Sequence, residues 1–532
     1  MDPKPNHLLV QKITQKLDTY GCVRSALPFI LPLLQSADAQ DLKPAIQFLS
    51  GQLDIPPVEI YSLLSFYQTG PYQRGTQIDI QLCHAYWFEK SKVKELAQAL
   101  QHKFQIAFGT LSGNGEVSLN WAACPGYPNQ APVLLVNNVI YTRVKPQDLE
   151  EIIASCGNQI YFPNFALPYT WIEPMPFSGL KQGKAINAVM KNTPRPTMKS
   201  EHNMIVCNVD EGEPLAFKSR ALLSEYIELT LEGMLITAYL TGISRGVIYL
   251  PRRYGYMQSL LNQQLEQFKS RKVLGESVLG MEDFNFDVEL LVGMGDYIGR
   301  EPSALTAMLN GFRPEYEAAH STSAQTCLIR PVDYYLKAAA ITADAFLPIQ
   351  DLDAQVAQTP AIVSVSGSCA QSGIYQIQDG TTIGDLLKHV GGEDAIAVQV
   401  GGMSAGLTLA ANFDRPITKE ALAQTASVIV YGPDTNLQEA VRDILRYFHE
   451  ASCGQCTPCR NGIPVLLKSL QPLPANKRKQ TSLSELRSLA ETIQLTSKCS
   501  FGQNAPNAYL SMLDIEQNNT ASAPSIERLR KQ

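Results

Sequence analysis

Apolar residues recur at helical spacing from residue 8 to about residue 70, most densely in Leu27-Pro-Phe-Ile-Leu-Pro-Leu-Leu34. Asp54-Ile-Pro-Pro-Val-Glu59 reads as a helix start: an Asp able to N-cap, prolines in the first turn, then an acid near the positive helix end. The pattern then changes. Ile78-Asp-Ile-Gln-Leu82 alternates as a strand, Lys90 to Gln101 has helical spacing, and Val117–Trp121 and Val133–Asn137 are further strands. Gln147 to Ala154 closes this small α/β unit as a helix, and the Pro-rich stretch 162–176 reads as a linker.

From 177 to 345 the pattern alternates between buried strands and helices. Met204–Asn208, Gly246–Leu250 and Phe286–Val292 are the strands, with one long helical pattern from Ala221 to Thr241. Residues 360–412 carry short strands at Ala361–Ser366, Gly373–Ile377 and Ala397–Val400, plus a helix at Thr382–Val390 ended by Gly391-Gly392, which gives a β-grasp-like module. In 430–515, Leu437, Val441, Ile444, Leu445 and Phe448 form one apolar helix face, and a second helix runs near Leu483 to Leu495. Residues 516–532 are polar and small, as in a disordered tail. The fold class expected is therefore multidomain α/β with a helical C-terminal domain.

Composition narrows the function classes. A chain of 532 residues exceeds a single core. A net charge of −6 gives no electrostatic reason to expect nucleic acid or an anionic membrane. The N-terminus lacks an apolar signal core, and no apolar stretch is long enough to span a bilayer, so a cytoplasmic chain without membrane insertion is expected. The eleven cysteines follow no secreted-domain pattern, which points to free thiols or metal ligands in a reducing compartment. Cys22, Cys156 and Cys369 have no partner at ligand spacing and read as core or surface thiols.

Four other cysteines carry candidate chemistry. Cys453, Cys456 and Cys459 stand at intervals of three in Glu450-Ala-Ser-Cys-Gly-Gln-Cys-Thr-Pro-Cys-Arg460, and Cys499 follows in Ser497-Lys-Cys-Ser-Phe-Gly-Gln-Asn-Ala-Pro506. A close triplet plus one distant thiolate suits a [4Fe–4S] cube, each sulfur taking one iron. Structural zinc also takes four cysteines but usually draws two close pairs.

The same eleven-residue run closely resembles the cluster motif of the NADH-binding flavoprotein subunit of respiratory complex I, a subunit type shared with NAD-linked formate dehydrogenases and bidirectional hydrogenases. Val206–Arg220 resembles that family's flavin-site segment, Leu231–Ala238 matches it, and 360–412 resembles its soluble-ligand-binding β-grasp module. Residues 1–155 are similar to the helical bundle plus thioredoxin-like [2Fe–2S] subunit of the same complexes, fused in front. Ile55–Tyr67 carries the bundle signature. The resemblance implies an FMN and NAD(H) site at Asn208, Asp210, Glu211, Tyr297 and Glu301, with Glu213 and Lys218 in the same segment. It implies a [4Fe–4S] cluster on Cys453, Cys456, Cys459 and Cys499, and partners that are the iron–sulfur and catalytic subunits of an oxidoreductase complex.

The chain departs from the family at two sites. The thioredoxin-like family holds its cluster with two cysteine pairs. Here Cys83 and Cys124 remain, but Phe88 and Pro128 stand at the partner positions. Two cysteines do not ligate a conventional [2Fe–2S] cluster, so none is expected, and His84 is a poor substitute because adjacent residues rarely converge on one iron. At the flavin site the glycine-rich loop is reduced to Ser178-Gly-Leu-Lys-Gln-Gly-Lys-Ala-Ile186. Arg300 and Pro302 interrupt the next motif, and Arg330 and Pro331 replace two amides. The expected function is an iron–sulfur electron-transfer subunit of a cytosolic modular oxidoreductase with weakened or lost FMN and NADH binding. The alternatives are a working NADH:acceptor diaphorase and a non-redox scaffold with structural zinc. A remodelled pocket could use Arg300 and Arg330 as anion contacts, or the two could pair with acids such as Asp296.

Overall fold

The computed structural model describes residues 7–67, 77–84, 90–155, 175, 177, 179–193, 200–293, 297–316, 326–343, 351–422, 425–471 and 482–522. The chain divides into two compact units. One takes Met1–Arg74, Pro176–Asp210 and Leu222–Thr359; the other takes Gly75–Met175, Glu211–Ala221 and Pro360–Gln532. The division cuts through the expected 1–155 region. Among the described residues no helix is long and apolar enough to cross a membrane.

The first unit is built on a four-stranded, all-parallel sheet in the order Asp287–Gly293, Arg245–Pro251, Met204–Asn208, Cys327–Pro331. Side chains of its middle strands are buried on both faces, which is why they read as continuous apolar runs. On one face, Met204, Val206, Val247, Tyr249 and Leu291 pack with Phe29 from the N-terminal helices and with Leu305, Met308 and Leu309. The N-terminal helices are thus docked on this sheet. Lys16 pairs with Glu289 at 3.3 Å, Arg24 donates to the Gly311 carbonyl at 3.1 Å, and the Arg245 guanidinium lies 4.9 Å from the Tyr20 ring centre. Elsewhere in the unit, helices Ile227–Thr241 and Val332–Ala343 cross so closely that a Cβ on Gly233 would fall 2.1 Å from the Tyr335 carbonyl oxygen.

Two local expectations are corrected here. Asp54 does not N-cap the fourth helix, Pro57–Tyr67. It is the left-handed C-cap (φ 53°) of the preceding helix, Ala39–Leu53, its N–H bonded to the Ser50 carbonyl. The expected long helix from Ala221 is two helices, Lys218–Glu225 and Ile227–Thr241, broken at Tyr226 (φ −125°, ψ 40°), whose ring meets Phe177 edge-on at 4.9 Å.

The second unit holds the thioredoxin-like sheet, the β-grasp sheet and the C-terminal helices. The thioredoxin-like sheet runs Thr110–Leu111, Val117–Ala122, Ile78–Cys83, Val133–Val136, Val139–Thr142, with helices Lys90–Phe104 and Leu149–Ala154 contributing Val93, Leu96, Leu100, Leu149 and Ile152 to its core. The β-grasp sheet has five strands: Gly373–Ile377, Ala361–Gly367, Ser427–Tyr431, Ala397–Val400 and Thr408–Leu409, in that order. Its middle strand, Ser427–Tyr431, lies beyond the expected boundary at 412. It pairs parallel with one neighbour and antiparallel with the other. Among the described residues four helices follow in turn, Leu437–Glu450, Thr457–Ser469, Leu483–Thr496 and the short Ser500–Asn504. The last helix, Asn507–Ser522, extends through residues 516–522 of the expected tail, while 523–532 lie outside the described residues.

Candidate iron–sulfur centre and cofactor segment

Three of the four sequence-predicted cluster ligands sit where one helix ends and the next begins. Leu437–Glu450, N-capped by the Asn436 side chain, runs to within three residues of Cys453. Gly454 follows with φ +74°, a left-handed turn glycine tolerates without strain. Cys456 is the N-cap of Thr457–Ser469, Pro458 sits in its first turn where no N–H is needed, and Cys459 is its third residue. Two of the triplet therefore stand at the N-terminal end of a thirteen-residue helix. Arg460 clips the loop from outside, donating to the carbonyls of Gly454 (2.7 Å) and Gln455 (3.4 Å). Ser452 closes it from inside, its Oγ 3.4 Å from the Cys459 sulfur and accepting from the Gly454 N–H.

The fourth predicted ligand follows helix Leu483–Thr496, whose start is fixed by a Ser482/Glu485 capping box. Cys499 is the N-cap of Ser500–Asn504. The two cysteine-bearing segments approach at Gly502, where an added Cβ would lie 2.6 Å from Ser497 Cβ and 3.1 Å from Cys459 Cβ. The four thiols share one electrostatic environment. Burial pushes Cys459 up to about 12, with Ser452 opposing and Cys456, Cys499 and Cys453 adding to the rise. Burial also raises Cys499, partly offset by the N–H groups of Gly502 and Phe501. A metal that replaces those protons removes the penalty. Among the described residues no group of three or more His, Cys, Asp or Glu closes to the spacing of a single metal ion. A cubane, with each thiolate on a different iron, asks for a wider set. Cys459 and Cys499 are buried, and Cys453 and Cys456 are half-buried.

In the thioredoxin-like sheet, Cys83 ends its strand and Cys124 follows the neighbouring one. Burial, and then Cys124, raise the Cys83 thiol well above its ordinary range. The Tyr127 N–H donates to the Cys124 sulfur at 3.3 Å. Pro128 opens a 3-10 turn whose next residue, Asn129, is engaged twice with the Gly367 backbone of the β-grasp sheet, donating to its carbonyl at 2.7 Å and accepting from its N–H at 3.0 Å. The His84 ring is stacked on Trp121 at 4.9 Å. Phe88 and Cys156 lie outside the described residues.

The cofactor residues suggested by resemblance fall in both units. In the first, Met204–Asn208 and Cys327–Pro331 are the neighbours between which the strand order reverses, so their carboxyl ends form a topological switch point where α/β sheets bind ligands. Asn208 accepts from the Asp210 N–H at 2.9 Å. Asp210 is buried and paired with Arg253 at 3.1 Å, and both Asp210 Oδ2 and the Tyr249 hydroxyl lie over Gly299. Glu301 is the N-cap residue of helix Pro302–Leu309, and the Ser303 hydroxyl reaches it at 3.4 Å. The Tyr297 side chain and Asp296 lie outside the described residues. Arg330 pairs with Asp353 at 2.8 Å. Lys181 and Lys184 are exposed, and the N–H groups of Gly183 and Ile186, at the start of helix Lys184–Asn192, are taken by the buried Glu232 carboxylate at 2.9 and 3.0 Å.

In the second unit, Glu211 accepts from the Ser219 N–H at 2.8 Å. Glu213 is fully buried, accepting from the N–H groups of Met403 (2.8 Å) and Ser404 (3.0 Å) and from the Ser404 hydroxyl. Arg220, also buried, donates to the Gly126 carbonyl at 2.7 Å and lies over the Tyr127 ring. Sequence reasoning missed Arg253, Glu232 and Tyr447, the last donating its hydroxyl to the Gly212 carbonyl, because each acts through a contact between distant segments.

Comparison with known proteins agrees with this layout. Residues 439–518 match the NADH-ubiquinone oxidoreductase-F iron-sulfur binding region, 13–157 the thioredoxin-like [2Fe-2S] ferredoxin family, and 181–333 the Nuo51 FMN-binding domain. The alpha subunit of the NAD-reducing hydrogenase HoxS of Cupriavidus necator is 26% identical, with 94% of this chain and 92% of the relative covered. The HndC component of the NADP-reducing hydrogenase of Solidesulfovibrio fructosivorans is 27% identical over 60% of this chain and 68% of its own. A crystal structure of an NAD+-reducing [NiFe]-hydrogenase in the H2-reduced state superposes with a TM-score of 0.76 at 25% identity, covering 94% of this chain and 93% of that one.

Proposed function

Because the chain is a homologue of NADH-quinone oxidoreductase F and NAD-reducing hydrogenase alpha subunits, with a thioredoxin-like region in front, we propose that it is an iron–sulfur electron-transfer subunit of a modular oxidoreductase. Cys453, Cys456, Cys459 and Cys499 hold a [4Fe–4S] cluster. The observation that carries this is the meeting of the two ligand-bearing segments at Gly502, with all four thiols in one electrostatic environment. The cluster, when bound, supplies one-electron exchange. The chain's own residues would place it: Arg460 and Ser452 hold the loop that carries Cys453 and Cys456, and Phe448 on the preceding helix packs against Phe501 beside Cys499, ring centres 4.9 Å apart. Other subunits of the complex are its partners, and it works in the cytoplasm.

FMN and NADH binding is weakened or lost in this reading. Asp210 is already neutralised by Arg253, Glu232 takes two N–H donors beside the shortened glycine loop, and Arg330 is committed to Asp353. The thioredoxin-like region is a docking domain without a [2Fe–2S] cluster, since two ligand positions are Phe88 and Pro128 and the turn at Pro128 is used to grip Gly367. The match of 181–333 to an FMN-binding domain favours the second reading, a working NADH:acceptor diaphorase.

Purified protein tests the cluster directly. Wild type should carry iron, acid-labile sulfide and a reducible [4Fe–4S] signal by electron paramagnetic resonance, and Cys456→Ser should lose them. A Cys456→Ser protein with unchanged iron and spectrum refutes the ligand set. Stoichiometric flavin with NADH-dependent dye reduction selects the diaphorase, and zinc without sulfide selects the scaffold.

A further inference from the structure

The turn Glu211-Gly212-Glu213 is held on three sides within the second unit. Glu211 is bonded to Ser219 N–H, and Glu213 to the 402–404 turn, where a Cβ on Gly402 would fall 2.0 Å from Glu213 Oε2. The third contact comes from the cluster helix: the Tyr447 hydroxyl donates to the Gly212 carbonyl. Gly212 itself has φ +70°, a conformation that favours glycine, so the carbonyl's direction is set by a turn few residues could replace.

Tyr447 lies one turn before the end of helix Leu437–Glu450, which leads directly into Cys453. Its ring meets Phe448 edge-on at 5.7 Å, and Phe448 meets Phe501 edge-on at 4.9 Å. The Phe501 N–H is one of two facing the Cys499 thiol. A continuous packed bridge of three rings therefore joins the Gly212 carbonyl to the neighbourhood of both ligand-bearing segments.

We propose that Tyr447 is a positioning residue that couples cluster loading to the order of the Glu211–Glu213 turn. It rests on the reading that the four cysteines hold the cluster. Binding a cluster fixes Cys453 and Cys499, and with them the end of the helix and the three rings. Tyr447 then holds the Gly212 carbonyl, which fixes the Glu211 backbone. Linkage makes the effect reciprocal: a turn held by Tyr447 favours the loaded cluster. The turn belongs to the segment that resembles a flavin site, so the state of the cluster decides how well Glu211 is placed.

Amide hydrogen exchange of peptides covering 211–221 tests this in the full chain, with iron and sulfide assayed in parallel. Tyr447→Phe keeps the ring and removes one hydrogen bond. Loaded Tyr447→Phe should exchange about fivefold faster than loaded wild type in these peptides, the size of one neutral hydrogen bond. Peptides from the middle strand Ser427–Tyr431 should be unchanged, which separates the effect from general loosening. Chelating the cluster out of wild type should accelerate the same peptides, and doing so in Tyr447→Phe should add little. Wild-type exchange in loaded Tyr447→Phe overturns the proposal, as does equal acceleration of both proteins on chelation. Wild type without iron and sulfide refutes the cluster reading itself.

Discussion

Arg253 donates to the Asp210 carboxylate at 3.1 Å, with the two side chains only 5% and 0% exposed. Such a pair need not add stability, because desolvating both ions offsets their attraction, but removing one partner leaves the other's buried charge less well compensated. Arg253→Ala should therefore lower unfolding stability by about 3–5 kcal/mol, read from the shift in urea midpoint. The double change Arg253→Met with Asp210→Leu should recover most of it. A single variant as stable as wild type would mean that Asp210 finds another cation or takes up a proton.

Gly502 is a close contact between the two cysteine-bearing segments, and its replacement has a clear sign. The Cβ of Gly502→Ala would sit 2.6 Å from both the Cβ and the Oγ of Ser497, and 3.1 Å from Cys459 Cβ. One segment must move, and with it Cys459 or Cys499. Iron and labile sulfide per chain should fall well below wild type while the far-ultraviolet circular dichroism is retained. Full iron content in Gly502→Ala would contradict the geometry.

The thiols outside the cluster site set an alkaline limit. Burial pushes Cys369 up to about 12, and burial, only partly offset by Thr306 and Arg245, pushes Cys327 to about 12. Burial, with Asp333, also raises Cys207. An unfolded cysteine ionises near 8.5. The raised values mean that the folded chain keeps protons the unfolded chain releases, so this stability is complete below about pH 8.5 and is lost as pH rises towards 12. The urea midpoint should fall between pH 8 and pH 10.5, and replacing Cys327 and Cys369 by Ala should flatten the slope. At pH 8, alkylation should reach exposed Cys22 well before Cys327 or Cys369. Rapid labelling of Cys369 in folded protein would show that its surroundings open readily.

What the sequence revealed followed the range of the interactions involved. The cysteine triplet was legible because closely spaced ligands need fixed local spacing, and the strand Met204–Asn208 because a doubly covered strand is apolar along most of its length, here from Met204 to Cys207. Asp54 misled because its side chain suits either end of a helix, and the left-handed backbone that decided the matter is set by the chain reversal into Ile55-Pro56. Ser427–Tyr431 is as apolar as the other strands, but it enters the β-grasp sheet after an irregular stretch, so nothing local ties it to Ala361–Gly367. Tyr447 on Gly212 spans 235 residues, and no periodicity carries such a pairing.

We propose that Cys453, Cys456, Cys459 and Cys499 hold a [4Fe–4S] cluster in an electron-transfer subunit with weakened flavin binding. Assaying iron, acid-labile sulfide, zinc and flavin together on freshly purified protein tests it most directly. The prediction is a full [4Fe–4S] complement of iron and sulfide, a reducible signal by electron paramagnetic resonance, and flavin well below one per chain. Zinc without sulfide would contradict the cluster, and one tightly bound flavin per chain would contradict the weakened site.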